Sequence, residues 1–286
     1  MKQIGVISGK GGTGKTVITA GFASLAKNTV FADCDVDAAD LHLLLKPEII
    51  ERHKFKSGKV AEIDKKFCQR CGKCLSICRF SAITEDFVVD PISCEGCCFC
   101  SYVCPAEAIR MEEKICGEWF ISNTRFGKLI HAKLGVAEEN SGKLVSLVRE
   151  KAKQIAEKEN CSLIIIDGSP GIGCPVIASL SGLDYAIVVV EPTLSGLHDA
   201  DRVIKVAWHF GVSVKLIINK FDLNIEVAKR IEDYCQINNI PIIGKIKFDE
   251  SVVKAMVEGK TIIEYQDTEA KREITKIWHR LEKEIA

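Results

Sequence analysis

Eight of the chain's fourteen cysteines fall into two runs of one form, C-x2-C-x2-C-x3-C. Cys68, Cys71, Cys74 and Cys78 recur 26 residues later as Cys94, Cys97, Cys100 and Cys104, and Ala82-Ile83 recurs as Ala108-Ile109. One small unit has been duplicated. Thiolates are soft ligands, and four of them at these offsets suit a centre held by sulfur. A second constellation opens the chain. The stretch "GKGGTGKT", Gly9 to Thr16, fits the phosphate loop G-x-x-x-x-G-K-[ST]. Small residues at Gly9, Gly11, Gly12, Thr13 and Gly14 let backbone N–H groups wrap around phosphates, and the following helix N-terminus adds positive potential. Lys15 would reach the β- and γ-phosphates, and the Thr16 hydroxyl would ligate Mg²⁺.

The second cysteine run, "CEGCCFCSYVCP", ends in Pro105, the bacterial-type ferredoxin spacing, whereas the first has Arg79 in that place. Each run can close three corners of a [4Fe–4S] cluster, its fourth cysteine ligating the other cluster. That predicts a crossed arrangement, with one cluster on Cys68, Cys71, Cys74 and Cys104 and the other on Cys94, Cys97, Cys100 and Cys78. Zinc is the alternative, since C-x2-C pairs also make tetrahedral sites, although zinc does not require the longer pattern twice. Cys98 adjoins a ligand and reads as a packed thiol or a substitute ligand. Cys34, Cys116, Cys161 and Cys235 read as small buried hydrophobes.

These sites need elements to hold them. The apolar runs "QIGVIS", "TVFAD" (29–33), "SLIIID" (162–167), "YAIVVVE" (185–191) and "SVKLIINK" (213–220) are continuous rather than alternating, as in strands buried on both faces. Helical patterns lie between them, at "KTVITAGFASLAK", "KLVSLVREKAKQIAEK" (143–158) and "HDADRVIKVAWHF" (198–210). This alternation implies an α/β fold, a doubly wound, mostly parallel sheet. It fails between residues 57 and 113, where cysteines replace aliphatic runs. A segment so short has little apolar mass of its own, so bound metal is expected to stabilise it. The expected organisation is a discontinuous domain, 1–56 and 114–286, interrupted by a small α+β insert at 57–113.

With 47% hydrophobic residues, 286 residues can bury a full core. Lys plus Arg and Asp plus Glu both number 39, so no net field favours nucleic acid or an anionic membrane. No secretory leader or membrane span is legible, which points to a cytoplasmic protein whose cysteines stay out of disulfides.

Lys10 makes "GKGGTGKT" resemble the deviant Walker A loop of the MinD, ParA, Mrp and nitrogenase iron-protein superfamily. The resemblance implies that Lys10 contacts ATP bound to a partner subunit, in a homodimer or related heterodimer. It further implies that Asp35, in "DCDVDAAD" (33–40), orients the attacking water alongside Asp33 and Asp37. Asp167, in "IIIDGSPGIG" (164–173), would hold the Mg²⁺ shell, and Asn219, in "INKFD", would read the adenine edge beside "IPIIGKIKFDESVVKA" (240–255). Cys174 lies near the position of a cluster-bridging cysteine in the nitrogenase iron protein. Further segments resemble the subfamily with an inserted 2[4Fe–4S] ferredoxin domain: "NTRFGKLIHAKLG" (123–135), "ENSGKLV" (139–145), "GSPGIGCPV" (168–176) and "EPTLSGLHD" (191–199). That resemblance implies an ATPase coupled to electron transfer or to metal-cluster delivery, with a redox partner and a client protein. A ferredoxin-like carrier regulated by nucleotide, and a MinD-like positioning ATPase, are the alternatives. The tail, 273–286, places Ile274, Ile277, Trp278, Leu281 and Ile285 on one face, expected to dock on the core rather than on a membrane.

Overall fold

The computed structural model describes residues 1–135 and 140–285. Its strands are β1 (Lys2–Ser8), β2 (Thr29–Asp33), β3 (Glu48–Ile63), β4 (Ile109–Thr124), β5 (Gly127–Leu134), β6 (Leu163–Pro170), β7 (Tyr185–Val190), β8 (Ser213–Asn219) and β9 (Ile242–Ile246). Its helices are α1 (Lys15–Leu25), α2 (Leu41–Leu45), α3 (Lys73–Ile77), α4 (Phe99–Tyr102), α5 (Ser141–Lys158), α6 (Cys174–Leu180), α7 (Leu194–His209), α8 (Ile225–Ile237), α9 (Ser251–Val257) and α10 (Glu269–Ile285). The strand order is β3-β4-β5-β2-β6-β1-β7-β8-β9. From β5 to β9 every pairing is parallel, the α/β arrangement that continuous apolar runs imply.

The chain divides into two compact units. The larger comprises Met1–Arg52, Trp119–Lys133 and Ser141–Ala286, and the smaller His53–Glu118 and Leu134–Asn140. The boundaries expected at 57 and 113 instead fall inside β3 and β4, which carry the chain from one unit into the other. Most of β3 is exposed and reads as polar, so its sequence hides the strand. Leu134, Gly135 and Asn140 also group with the smaller unit, where the Gly135 amide donates to the Cys116 carbonyl at 2.8 Å. The segment "ENSGKLV" begins at Glu139, which lies outside the described residues.

In the larger unit Ile4, Ile165, Phe31, Ile187 and Ile217 form one fully buried layer at the sheet. Above it α1 buries Ile18 and Phe22, while Gly21 leaves room for Ile274 of α10. Helix α10 buries Ile274, Ile277, Trp278 and Leu281, with Trp278 5.4 Å from the Phe22 ring. The final helix is therefore docked on the core, as its apolar stripe predicts. No helix among the described residues is long and apolar enough to cross a membrane.

The smaller unit carries the sequence repeat into its backbone. Arg70 and Gly96, 26 residues apart, both take positive φ (52° and 63°), and so do Gly72 and Cys98 (77° and 68°) and Ser81 and Glu107 (52° and 48°). Gly72 and Cys98 are the residues before α3 and α4. Its apolar cluster is Ala61, Cys74, Ile83, Cys100 and Ile109.

Candidate functional site

Strand β1 ends at Ser8, and the loop that follows turns through Gly12 (φ 80°) and Gly14 (φ 91°) into α1. At Gly14 a Cβ would strike the Asn219 amide as well as strain the backbone, so the position requires glycine. Lys15 is the first residue of α1 and nearly fully buried. Its Nζ lies 3.3 Å from Asp35 Oδ2 and 3.1 Å from Asp167 Oδ1. Burial alone would lower the Lys15 pKa, but the charges of Asp167, Asp35 and Asp33 raise it, so the ammonium is firmly held.

Asp167 is completely buried within β6, next to Asp33 in the paired β2. It accepts from Thr16 Oγ1 at 2.8 Å and from Thr19 Oγ1 at 3.0 Å. Asp167 and Thr16, the two expected Mg²⁺ residues, are thus in direct contact. Thr19 was not among the sequence candidates, although its place one helical turn after Lys15 puts it on the same face.

The aspartates after β2 divide their work. Asp33 accepts backbone amides from Asp35 at 3.1 Å and Leu41 at 3.2 Å, which shapes the loop. Burial and the neighbouring Asp167 charge push its pKa well up. Asp35 faces Lys15, and burial raises its pKa against the pull of that lysine. Asp37 is exposed and does not enter the Lys15 cluster. Between the two loops, Ser169 Oγ donates to the Cys34 carbonyl at 2.5 Å, tying the segment after β2 to the end of β6.

Lys10 is held within its own chain. Its Nζ lies 2.6 Å from Glu191 Oε1, 3.1 Å from Thr193 Oγ1 and 3.4 Å from Ser195 Oγ. Lys220 approaches the other Glu191 oxygen at 3.5 Å and donates to the Gly12 carbonyl at 3.1 Å. Partial burial would raise the Glu191 pKa, but Lys10 and Lys220 together hold it below the usual carboxylate range. Glu191 lies in "EPTLSGLHD", and nothing in its residue type announces a partner for Lys10.

A cavity of about 420 Å³ opens beside the loop. Its lining includes Lys15, Thr16, Asp35 and Asn219 together with Phe248, Val252, Val253 and Met256. The charged and polar group can take phosphate and the apolar group the flat face of a base. Asn219 Nδ2 donates to the Thr13 carbonyl at 2.7 Å, so the side chain braces the loop with one N–H and keeps its oxygen and second N–H to meet a base. The segment 240–255, which the resemblance sets beside the base, supplies most of this apolar group, Phe248 just before α9 and Val252 and Val253 on it, with Met256 one residue further along.

In the smaller unit the thiols gather crosswise. Cys68, Cys71, Cys74 and Cys104 line one cavity, and Cys78, Cys94, Cys97 and Cys100 line another. Around α3, Cys74 faces the first cavity and Cys78 the second, and around α4, Cys100 faces the second and Cys104 the first. Two sets of four soft donors, each drawn from both runs, are the donor set a pair of sulfur-held clusters takes. Among the described residues no three His, Cys, Asp or Glu side chains converge on a single ion. Cys98 also lines the second cavity, but it is exposed rather than packed, because it occupies the left-handed position that Gly72 holds in the first copy. Cys34, Cys116 and Cys235 are buried, as expected of small hydrophobes, and Cys161 is half-buried. Cys174 begins α6 with an exposed thiol.

The family profile described as the CobQ/CobB/MinD/ParA nucleotide binding domain matches residues 4–262. An uncharacterized protein of Methanocaldococcus jannaschii is 36% identical over 228 residues, covering 78% of this chain and 79% of its own. The septum site-determining protein MinD of Neisseria meningitidis serogroup B is 26% identical over 293 residues, covering 96% and 88%. The structure of MinD from Pyrococcus horikoshii, complexed with Mg-ADP, superposes with a TM-score of 0.61 at 17% identity over 99% of this chain and 96% of that one, a likeness of fold.

Proposed function

The chain belongs to the CobQ/CobB/MinD/ParA family of nucleotide-binding domains and is an ATPase, and from that premise we propose that it couples Mg-ATP turnover to a pair of [4Fe–4S] clusters held in its smaller unit. The observation that carries the coupling is the crossed gathering of eight thiols into two cavities, which supports the ferredoxin-type reading of the repeat. Zinc, the alternative, does not require the C-x2-C-x2-C-x3-C pattern twice.

At the nucleotide site Lys15 neutralises the β- and γ-phosphates, and the amides from Gly11 to Thr16 wrap them. Thr16 would ligate Mg²⁺, and Asp167, which accepts a hydrogen bond from Thr16, would hold the metal's water shell. As phosphate draws Lys15 away, Asp35 is released to orient the attacking water. Lys10 leaves Glu191 to reach nucleotide across a homodimer or related heterodimer. Asn219 braces the loop beneath the base, and Phe248 and Met256 cover it. Cys68, Cys71, Cys74 and Cys104 would hold one cluster and Cys94, Cys97, Cys100 and Cys78 the other. Each cluster supplies one-electron chemistry when bound. In this reading the protein works in the cytoplasm with a redox partner and a metal-cluster client, without nucleic acid or stable membrane attachment. Cys174, exposed at the start of α6, is the residue offered to a bridging or transferred metal.

A positioning role like that named for the MinD relatives is the second reading, favoured by the 26% identity that extends over 96% of the chain. It predicts ATP-dependent sedimentation with anionic vesicles. The apolar face of α10 is spent on the core, which leaves that helix poorly suited to the task.

The test is anaerobic ATP hydrolysis by reconstituted protein, oxidised and then reduced with dithionite, with iron, sulfide and zinc counted on the same sample. About eight irons per chain, as two cubanes require, and a rate that changes with redox state support the coupling. Zinc in place of iron overturns the cluster assignment, and an equal rate at full iron content overturns the coupling.

A further inference from the structure

The two thiol cavities differ in one respect that would give electrons a direction. Their exposure is matched. Cys71 and Cys97 are exposed, Cys74 and Cys100 are 8% and 9% exposed, and the remaining four are half-buried. Their charge is not matched. Arg70 and Lys73 line the first cavity with Cys68, Cys71, Cys74 and Cys104, while Glu95 lines the second with Cys78, Cys94, Cys97 and Cys100. Two further charged residues adjoin the opposite sets in sequence. Arg79 follows Cys78, and Glu107 lies three residues past Cys104. Counting both narrows the contrast without reversing it. The first cavity also receives the Ala108 amide on Cys104 Sγ at 3.4 Å. Positive charge and N–H donors at ligating sulfur stabilise the extra electron of a reduced cluster, and negative charge opposes it.

We infer, resting on the cluster assignment above, that Arg70, Lys73 and the Ala108 amide make the first cavity the electron acceptor and that Glu95 makes the second the donor. A low-potential one-electron carrier protein supplies the electron. The cluster at Cys78, Cys94, Cys97 and Cys100 is oxidised as the cluster at Cys68, Cys71, Cys74 and Cys104 is reduced, one electron for one, with no bond or proton exchanged. The path is short, because Cys74 and Cys78 flank one turn of helix, about 6 Å of axial rise.

The experiment is an EPR-monitored reductive titration of the reconstituted full chain at low and high salt, with iron and sulfide counted on every sample. Two one-electron steps are expected at low salt, separated by about tenfold in their equilibrium, or 59 mV. High salt should draw them together, because all three charged side chains are exposed. The double variant R70Q/K73Q should move only the easier step to lower potential. E95Q should move only the harder step to higher potential. Coincident steps, a separation indifferent to salt, or R70Q/K73Q acting on the harder step would overturn the direction while leaving the cluster assignment intact. A wild-type sample that takes up no iron would overturn the assignment itself, and the direction with it.

Discussion

The two units reach order by different means. The larger is built on a fully buried aliphatic layer, and its site is assembled from protein groups alone, with Lys15, Asp35, Asp167 and Thr16 satisfying one another. The smaller has a core of Ala61, Cys74, Ile83, Cys100 and Ile109, in which the thiols are themselves part of the packing. In one unit the fold makes the site, and in the other, on the proposed cluster assignment, the site helps to make the fold. Substitutions should therefore report function in the first, and loss of metal should report stability in the second.

The sharpest cut is Lys15→Ala. It leaves Asp35 and Asp167 facing each other without their cation and removes the phosphate contact. Turnover should fall by at least about 1,000-fold, on the scale of losing a group that stabilises transferring phosphate. A steady-state assay with wild-type folding by circular dichroism checks it, and an unchanged rate would remove the loop from the active site.

Iron removal breaks the comparison from the other side. On the proposed cluster assignment, chelation after oxidation should speed proteolysis within 53–118 by about two orders of magnitude, since bound metal would supply stability that this core lacks. The unfolding midpoint of the larger unit should hold. All three tryptophans, Trp119, Trp208 and Trp278, lie in that unit, so their fluorescence reports it alone. Equal loss in both units would mean that they fold as one.

Acid gives the larger unit a weakness of its own. His131 is buried against Phe120 and His42 and shares a 2.9 Å hydrogen bond with Ser122. Burial, with His42 adding to it, lowers its pKa to about 4. The folded state thus keeps the ring neutral while the unfolded chain protonates near its ordinary value of 6.5. Stability is complete above that value and drains away as pH falls towards 4, by about 3 kcal/mol in all. Denaturant titrations followed by tryptophan fluorescence should show this slope in the wild type and a flatter one in His131→Phe.

Legibility follows the same division. The phosphate loop, the parallel strands and the repeat are readable because each rests on local spacing: glycines at a turn, apolar runs, thiols at fixed offsets. The crossed arrangement of Cys78 and Cys104 is expected from the ferredoxin-type spacing and not from helix geometry, since residues four apart on a helix share a face. What escaped depends on long-range company. Strand β3 is hidden because its residues face solvent, so no apolar run marks it. The segment beside the base is legible only through the resemblance of 240–255, and which of its side chains reach the cavity, Phe248 before α9 and Val252 and Val253 on it, depends on the fold. Glu191 is hidden because a carboxylate after a strand has many possible partners, and only the fold supplies Lys10.

That last pairing yields the smallest effect and the finest test. Lys10 must reach outward to serve a second subunit, yet here Glu191 and the hydroxyls of Thr193 and Ser195 hold it inward. The pair is only partly buried, so its hold is worth about 1 kcal/mol. Glu191→Gln keeps the shape and removes the charge. Freeing Lys10 should tighten ATP-dependent self-association by about fivefold, the equilibrium equivalent of that energy. Lys220 loses the same partner but keeps the Gly12 carbonyl, so the loop should stay in place. Sedimentation velocity with a non-hydrolysable ATP analogue, at two salt concentrations, measures the change. Tighter association in the variant, with the advantage shrinking at high salt, would show Glu191 acting as a restraint on Lys10. Weaker association would show instead that Glu191 belongs to the subunit contact, and the restraint would have to be given up.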